Sequence, residues 1–298
     1  MSTVSRPNFR LEMLQVARLA PRVLGESAPL VEAFVRSRLT EAGGFAGRDG
    51  RPDLYYTVFG LEALLALQAA LPVTVADYLR NTGSVEQLDF VHACALARCG
   101  GSVEKNLFSP EMRDALARRV GAFRTSDGGF HGTPGRVQGS AYGALLAWGA
   151  LSDLGADLPE PERLLGSLRA LRLVDGSFAN EPGLSQGTTA ATAAALTLGR
   201  HLHEPPPENA GEWLRRQQHA AGGFLATPNA PLPDLLSTAV VLHALDGMQM
   251  PLERREDCLD FVDSLWSAEG GFHGHWADDE LDVEYTYYGL LALGHLAL

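Results

Sequence analysis

No stretch of this 298-residue chain stays apolar for the roughly 18–20 residues that a membrane-spanning helix requires, so an integral membrane protein is not expected. The opening residues, MSTVSRPNFRLEML, carry no uncharged apolar core, and no secretory signal is expected there. Cysteine is scarce. Cys94, Cys99 and Cys258 are odd in number, sit in apolar patterns and form no CxxC pair. A zinc ribbon is thereby excluded, and free buried thiols in a reducing, cytoplasmic compartment are expected. Positive charge is also short: the net charge is −12, and no basic patch alternates with aromatics, which argues against a nucleic-acid partner. Glycine-rich phosphate loops and a Ser/His/Asp set are missing too.

What the chain has in quantity is repetition. Glycine turns ending in Phe130, Phe178, Phe224 and Phe272 are each followed by an apolar helical stretch. The residues that open those stretches, Gln138, Gln186, Asp234 and Asp282, lie 48 residues apart. Two looser copies, opened by Asp53 and Asp89, precede them, and the second has lost its glycine turn. A period of roughly 20–50 residues marks a repeat architecture.

Each copy reads as two helices of different character. The first is amphipathic, as in residues 255–266, where Cys258, Phe261, Val262 and Leu265 recur at helical spacing. The second, as in DVEYTYYGLLALGHLAL from Asp282, is apolar on nearly every face and should be buried. Six pairs stack into an inner and an outer ring. An open solenoid is the alternative, but solenoid ends carry polar caps, and this chain's last helix stays apolar to its end. The expected fold is all-α, a single α/α toroid over residues 28–298. Residues 1–27 form an N-terminal segment with a helix near Phe9 to Leu24.

The stretches PDLYYTVFGLEALLAL (52–67), DGSF (175–178), GGF followed by Asp234, and GGFHG followed by LDVEYTYYGLLAL (281–293) resemble the repeat of protein prenyltransferase β subunits. Class II terpene cyclases share a related toroid. Within that family, the quoted stretches look like the β subunit of the geranylgeranyltransferase that modifies Rab proteins. The resemblance implies a deep apolar central cavity, an isoprenoid ligand of the prenyl diphosphate type, and a helical α-subunit-like partner. In that family, zinc is held by an Asp, a Cys two residues later and a His in the last repeat. The matching positions here are Asp234, Leu236 and Tyr285. A leucine supplies no donor, so zinc held in the family's manner is not expected. The Arg and Lys that the family places before the Asp to bind diphosphate are absent from LATPNAPLP (225–233). The cyclase DxDD motif is represented only by Trp276-Ala277-Asp278-Asp279, without its first Asp.

Two groups of candidate site residues remain. Asp278, Asp279 and Asp282 form DDxxD beside His273 and His275, a pattern of hard oxygen donors that suits Mg²⁺ and a bridging phosphate. The alternative is an acidic loop favoured by the N-terminus of the next helix. Asp234 is read either as a metal ligand or as a helix cap. Tyr55, Tyr56, Tyr142, Tyr285 and Tyr288 are expected to line an aromatic cavity that takes a hydrophobic small molecule, with core packing as the competing role. In the fourth inner helix only small side chains occur, and open volume beside Thr188 and Thr192 is one outcome; close helix approach is the other. His92, His243 and His295 read as hydrogen-bonded core histidines. Two function classes follow: an isoprenoid-handling, prenyltransferase-like protein, or a non-catalytic toroid that binds a peptide or protein across its mouth. A terpene cyclase-like enzyme is a third.

Overall fold

The computed structural model describes residues 8–104 and 106–298. Helices α1 (Phe9–Ala17) and α2 (Ala20–Leu24) lead into six helix pairs. These are α3 (Ala28–Ser37) with α4 (Leu54–Ala66), α5 (Thr74–Arg80) with α6 (Phe90–Val103), and α7 (Pro110–Gly121) with α8 (Ala141–Leu154). Then follow α9 (Pro161–Arg169) with α10 (Thr189–His201), α11 (Ala210–Arg215) with α12 (Leu235–Gly247), and α13 (Arg255–Ser264) with α14 (Val283–Leu296). The even-numbered helices from α4 to α14 pack each against the next, and α14 packs against α4, so the inner ring is closed. The odd-numbered helices from α3 to α13 lie outside it. Among the described residues, no helix is long and apolar enough to cross a membrane. The part of the N-terminal segment before Asn8 lies outside the described residues.

The turns of the repeat are held by one recurring device. Phe45, Phe178, Phe224 and Phe272 point into the core, and the backbone N–H of each donates to a threonine hydroxyl four residues past a helix cap: Thr57, Thr192, Thr238 and Thr286. In three of these the hydroxyl also donates to the cap's own carbonyl, at 2.6–2.7 Å. A threonine therefore satisfies a buried amide and ties the turn to its helix. Glycine is required on both sides of this contact. Gly270 takes φ 96°, and at Gly60 a Cβ would stand 2.4 Å from the Phe45 ring. The repeat around Asp89 lacks the device: a short 3₁₀ turn, Val85–Gln87, stands in for the glycine turn.

Asp53, Asp89, Asp234 and Asp282 cap their helices as expected, each accepting from a backbone N–H in the first turn. Gln138 and Gln186 do not. The caps are Ser140 and Thr188, two residues later, whose short hydroxyls reach Gly143 N at 3.0 Å and Ala191 N at 3.1 Å. Both glutamines are exposed. A short side chain at the cap reaches the amides of the first turn, which is why Ser and Thr take this role.

Helix α1 covers the opposite end of the ring. Arg10 bonds Asp153 Oδ1 at 2.9 Å and the Gly101 carbonyl at 3.1 Å, and Glu12 takes Arg200 at 2.6 Å. These partners lie at the C-terminal ends of α6, α8 and α10, so α1 spans that end of the barrel. Phe9 seats its ring against Gly149, where a Cβ would come within 2.3 Å of it. Cys94, Cys99 and Cys258 are buried free thiols.

Candidate active site

A cavity of about 330 Å³ runs down the centre of the inner ring. The caps set its lining. Two residues past each cap stand Tyr55, Val91, Tyr142, Ala190 and Leu236, which form the upper wall. One turn deeper come Val58 and Phe59, Cys94 and Ala95, Leu145 and Leu146, Ala193 and Ala194, Val240, and Tyr287 and Tyr288. Nine residues past the caps lie Arg98, Gly149, Thr197 and His243. Offsets of two, five, six and nine follow the helical repeat, so each inner helix shows one stripe to the cavity. Phe9 and Met13 of α1 complete the deep end.

One wall is aromatic. Tyr55 meets Phe59 edge-on at 5.0 Å between centroids, and Phe59 packs on Tyr288 at 5.5 Å. The facing helix α10 gives Ala190, Ala193, Ala194 and Thr197. Its small side chains do leave open volume on that side. Thr188 and Thr192 are not part of it, for Thr188 caps α10 and the fully buried Thr192 holds Phe178. Tyr55, Tyr142 and Tyr288 line the cavity. Tyr56 and Tyr285 sit three residues past their caps and turn away from it. Tyr285 lies beneath the Arg48 guanidinium, 5.5 Å from ring centroid to Cζ. Trp148 stacks between Phe9 and His201 outside the lining.

Glu284 was not singled out from the sequence, yet it occupies the same level as Tyr55 and Tyr142, two residues past Asp282. It accepts a 2.6 Å hydrogen bond from the Tyr55 hydroxyl. Burial pushes its carboxyl up to about 7, against the smaller opposing effects of that hydrogen bond and of Arg48. The signal that finds it is register: it aligns with Tyr55, Tyr142 and Leu236 when caps are superposed.

The acidic loop is already engaged by an arginine. Arg48 bonds Asp278 Oδ2 at 2.8 Å and Asp282 Oδ2 at 2.7 Å, with Glu280 at 3.6 Å. Burial is the largest single influence and would raise the Asp278 carboxyl, but the hydrogen bond and charge of Arg48 together with the backbone N–H groups of Glu280 and Gly274 hold it low. Asp282 also caps α14 through Tyr285 N, and Asp279 is exposed. His273 and His275 bond loop backbone. Asp234 spends both oxygens on Ser237. Among the described residues, no group of three or more His, Cys, Asp or Glu side chains is placed to hold a metal. Zinc does not fit: Leu236 lines the apolar wall where a thiolate would be needed.

The histidines divide. His243 and His295 are buried and share a 3.2 Å hydrogen bond. His92 departs from the core role. It is partly exposed at the mouth and bridges the caps Asp89 (2.8 Å) and Asp53 (3.1 Å).

The sequence model of the prenyltransferase alpha-alpha toroid domain matches residues 26–94, 91–198 and 189–297. The chain belongs to this family. No curated protein matches it by sequence. Among solved structures, this toroid is similar to a variant of the type II terpene cyclase MstE from Scytonema in complex with geranylgeranyl dihydroxybenzoate. That match has 12% identity and a TM-score of 0.63, and covers 96% of this chain and 98% of that one. It is also similar to ent-copalyl diphosphate synthase from Streptomyces platensis (17% identity, TM-score 0.52, 82% of this chain and 50% of that one). Candida albicans protein geranylgeranyltransferase-I complexed with GGPP matches at 14% identity and TM-score 0.49, over 95% of this chain and 83% of that one. At these identities the likeness is one of fold.

Proposed function

We propose that this toroid protein binds an isoprenoid chain in its central cavity, in a cytoplasmic setting, and that any prenyl transfer or cyclisation there proceeds without the Asp/Cys/His zinc site. The observation that carries the reading is the cap-defined apolar stripe of all six inner helices. It produces one cavity of about 330 Å³ with an aromatic wall, within the roughly 300–1,000 Å³ of ordinary ligand sites. Apolar area in such a site supplies the affinity, while a few polar groups fix orientation. The terpene cyclase that shares the fold was captured with a geranylgeranyl compound, which makes a geranylgeranyl chain the first ligand to try.

The head group follows from charge. Arg48 at the rim is engaged by Asp278 and Asp282, and Arg136 by Glu181. A diphosphate at the mouth would meet carboxylates rather than free guanidinium groups. Calorimetry with geranylgeraniol and geranylgeranyl diphosphate, each with and without Mg²⁺ or Zn²⁺, tests the proposal. Binding of either supports it, and the ratio of the two reports how far the diphosphate is read. Absence of binding in every arm would sink it.

Leu236 favours a second reading. With apolar lining where the family's ligating thiol stands, the protein fits a non-catalytic role, binding a peptide or an α-subunit-like partner at its mouth. Co-purification of a stoichiometric protein partner with an empty cavity would select that reading.

A further inference from the structure

The deep end of the cavity is polar, and nothing in the isoprenoid reading uses it. Counting nine residues from each cap brings Glu62, Arg98, Gly149, Thr197, His243 and Leu291 to one level, about 13 Å below the caps at 1.5 Å per residue. Four of the six are polar or charged, in a ring whose middle layer is almost wholly apolar. Arg98, Thr197 and His243 face the cavity.

One of these groups is incompletely satisfied. His243 is 6% exposed and gives its Nδ1 to His295, but its Nε2 has no hydrogen-bond partner among the described residues. Glu62 takes Nε and Nη2 of Arg98 at 2.6 Å each, which cancels the guanidinium charge. Buried polar groups are ordinarily paired, and each exception calls for an explanation. A ligand atom that completes the set is one.

Resting on the isoprenoid reading, we propose that this deep end receives a neutral hydrogen-bonding group, a hydroxyl or carbonyl, at the far terminus of the ligand chain. The ligand class is thus an isoprenoid oxygenated at its tail, polar at both ends and apolar between. A carboxylate or phosphate is disfavoured there because Glu62 already balances Arg98. Burial and the neighbouring His295 hold His243 neutral, so it presents one donor or acceptor and no charge.

The test is calorimetric, on the full chain. Farnesol is compared with farnesol carrying a second hydroxyl on its terminal methyl, and geraniol is compared in the same way so that chain length is sampled. The doubly hydroxylated form of one pair should bind roughly tenfold tighter, the worth of one well-made buried hydrogen bond. His243→Leu should erase that preference, so that the plain and doubly hydroxylated alcohols bind the variant within about threefold of each other. Thr197→Val is the parallel variant if the first does not fold. Equal or weaker binding of the tail-hydroxylated compounds in both pairs overturns the inference and leaves isoprenoid binding standing. A preference that survives in the folded variants overturns it too, because the hydroxyl would then be bonded elsewhere. If no alcohol binds at all, this inference falls, and the geranylgeraniol and geranylgeranyl diphosphate titrations decide the isoprenoid reading separately.

Discussion

Replacing Glu284 by Gln isolates a buried carboxyl at the level of Tyr55 and Tyr142. The wild-type group is mostly buried, bonded to the Tyr55 hydroxyl at 2.6 Å, and shifted from 4.5 up to about 7. Its folded pKa lies above its unfolded one. Its contribution is therefore full below about pH 4.5 and is lost as pH rises through about 7. A shift of that size corresponds to about 3 kcal/mol. Glutamine keeps an acceptor for Tyr55 and cannot ionise. The variant should match wild type near pH 4.5 and exceed it by up to about 3 kcal/mol above pH 8. For a chain of this length that is a gain of about 5 °C in Tm. The His243–His295 pair acts in the opposite direction, since both are shifted down by burial and cost stability as pH falls below the ordinary histidine range. That effect is common to both proteins and cancels in the difference. Paired thermal melts from pH 4.5 to 8.5 are the assay. A Tm difference that stays flat across the range would refute the assignment of a desolvated carboxyl at the cavity wall. An apolar ligand beside Glu284 desolvates it further, so wild type should also bind isoprenoid more tightly at pH 6 than at pH 8, and the variant equally at both.

Ala194→Phe fills the open side of the cavity; isoprenoid affinity should fall by about two orders of magnitude while the helical circular dichroism is retained, and unchanged binding would place the ligand elsewhere. Thr57→Val and Thr238→Val each strand a buried phenylalanine N–H and should cost about 1–3 kcal/mol in urea unfolding, with the double variant close to additive because the two lie on non-adjacent helices. Arg48→Ala releases Asp278 and Asp282; because the arginine is partly exposed, the cost should be near 1 kcal/mol, shrinking in high salt. Mg²⁺ at millimolar levels should raise the Tm of this variant and leave wild type unmoved. A Mg²⁺-dependent rise in wild type would contradict the view that Arg48 already serves the acidic loop. Elemental analysis of purified protein should find zinc well below one equivalent.

The ring was legible in the sequence because its framework is local. An aspartate before an apolar run is a cap wherever it stands, and Asp53, Asp89, Asp234 and Asp282 behaved so. A glycine-to-phenylalanine turn needs positive φ and a buried ring, both written in residue type. The even 48-residue count, however, carried the openers onto Gln138 and Gln186, and a period cannot tell a cap from a loop residue two places away. Ser140 and Thr188 are chemically better caps and sit in the same loops. Choosing by side-chain length rather than by spacing would have found them.

The cavity lining was harder to read for a reason built into the inner helices. Outer helices announce their buried face through charge on the other. A helix apolar on nearly all faces has no such phase, because its outward side packs on the outer ring and its inward side on the ligand space. Tyr55 and Tyr56 are then indistinguishable by composition, as are Tyr285 and Tyr288. Only the cap breaks the tie. Once Asp53 and Asp282 fix the origin, Tyr55 falls at offset two and Tyr288 at offset six, inside, while Tyr56 and Tyr285 fall at three, outside. The same origin brings Leu236 and Glu284 to offset two. In the zinc-dependent relatives that the sequence resembles, the ligating thiol stands at the position matched by Leu236. Here that level holds an apolar side chain and, on the neighbouring helix, a carboxyl shifted to about 7. A carboxyl poised there can give or take a proton at neutral pH, whereas a leucine can hold no metal. The offset-two level therefore carries apolar side chains, the Tyr55 and Tyr142 hydroxyls and a buried carboxyl bonded to Tyr55, with no thiol to hold zinc.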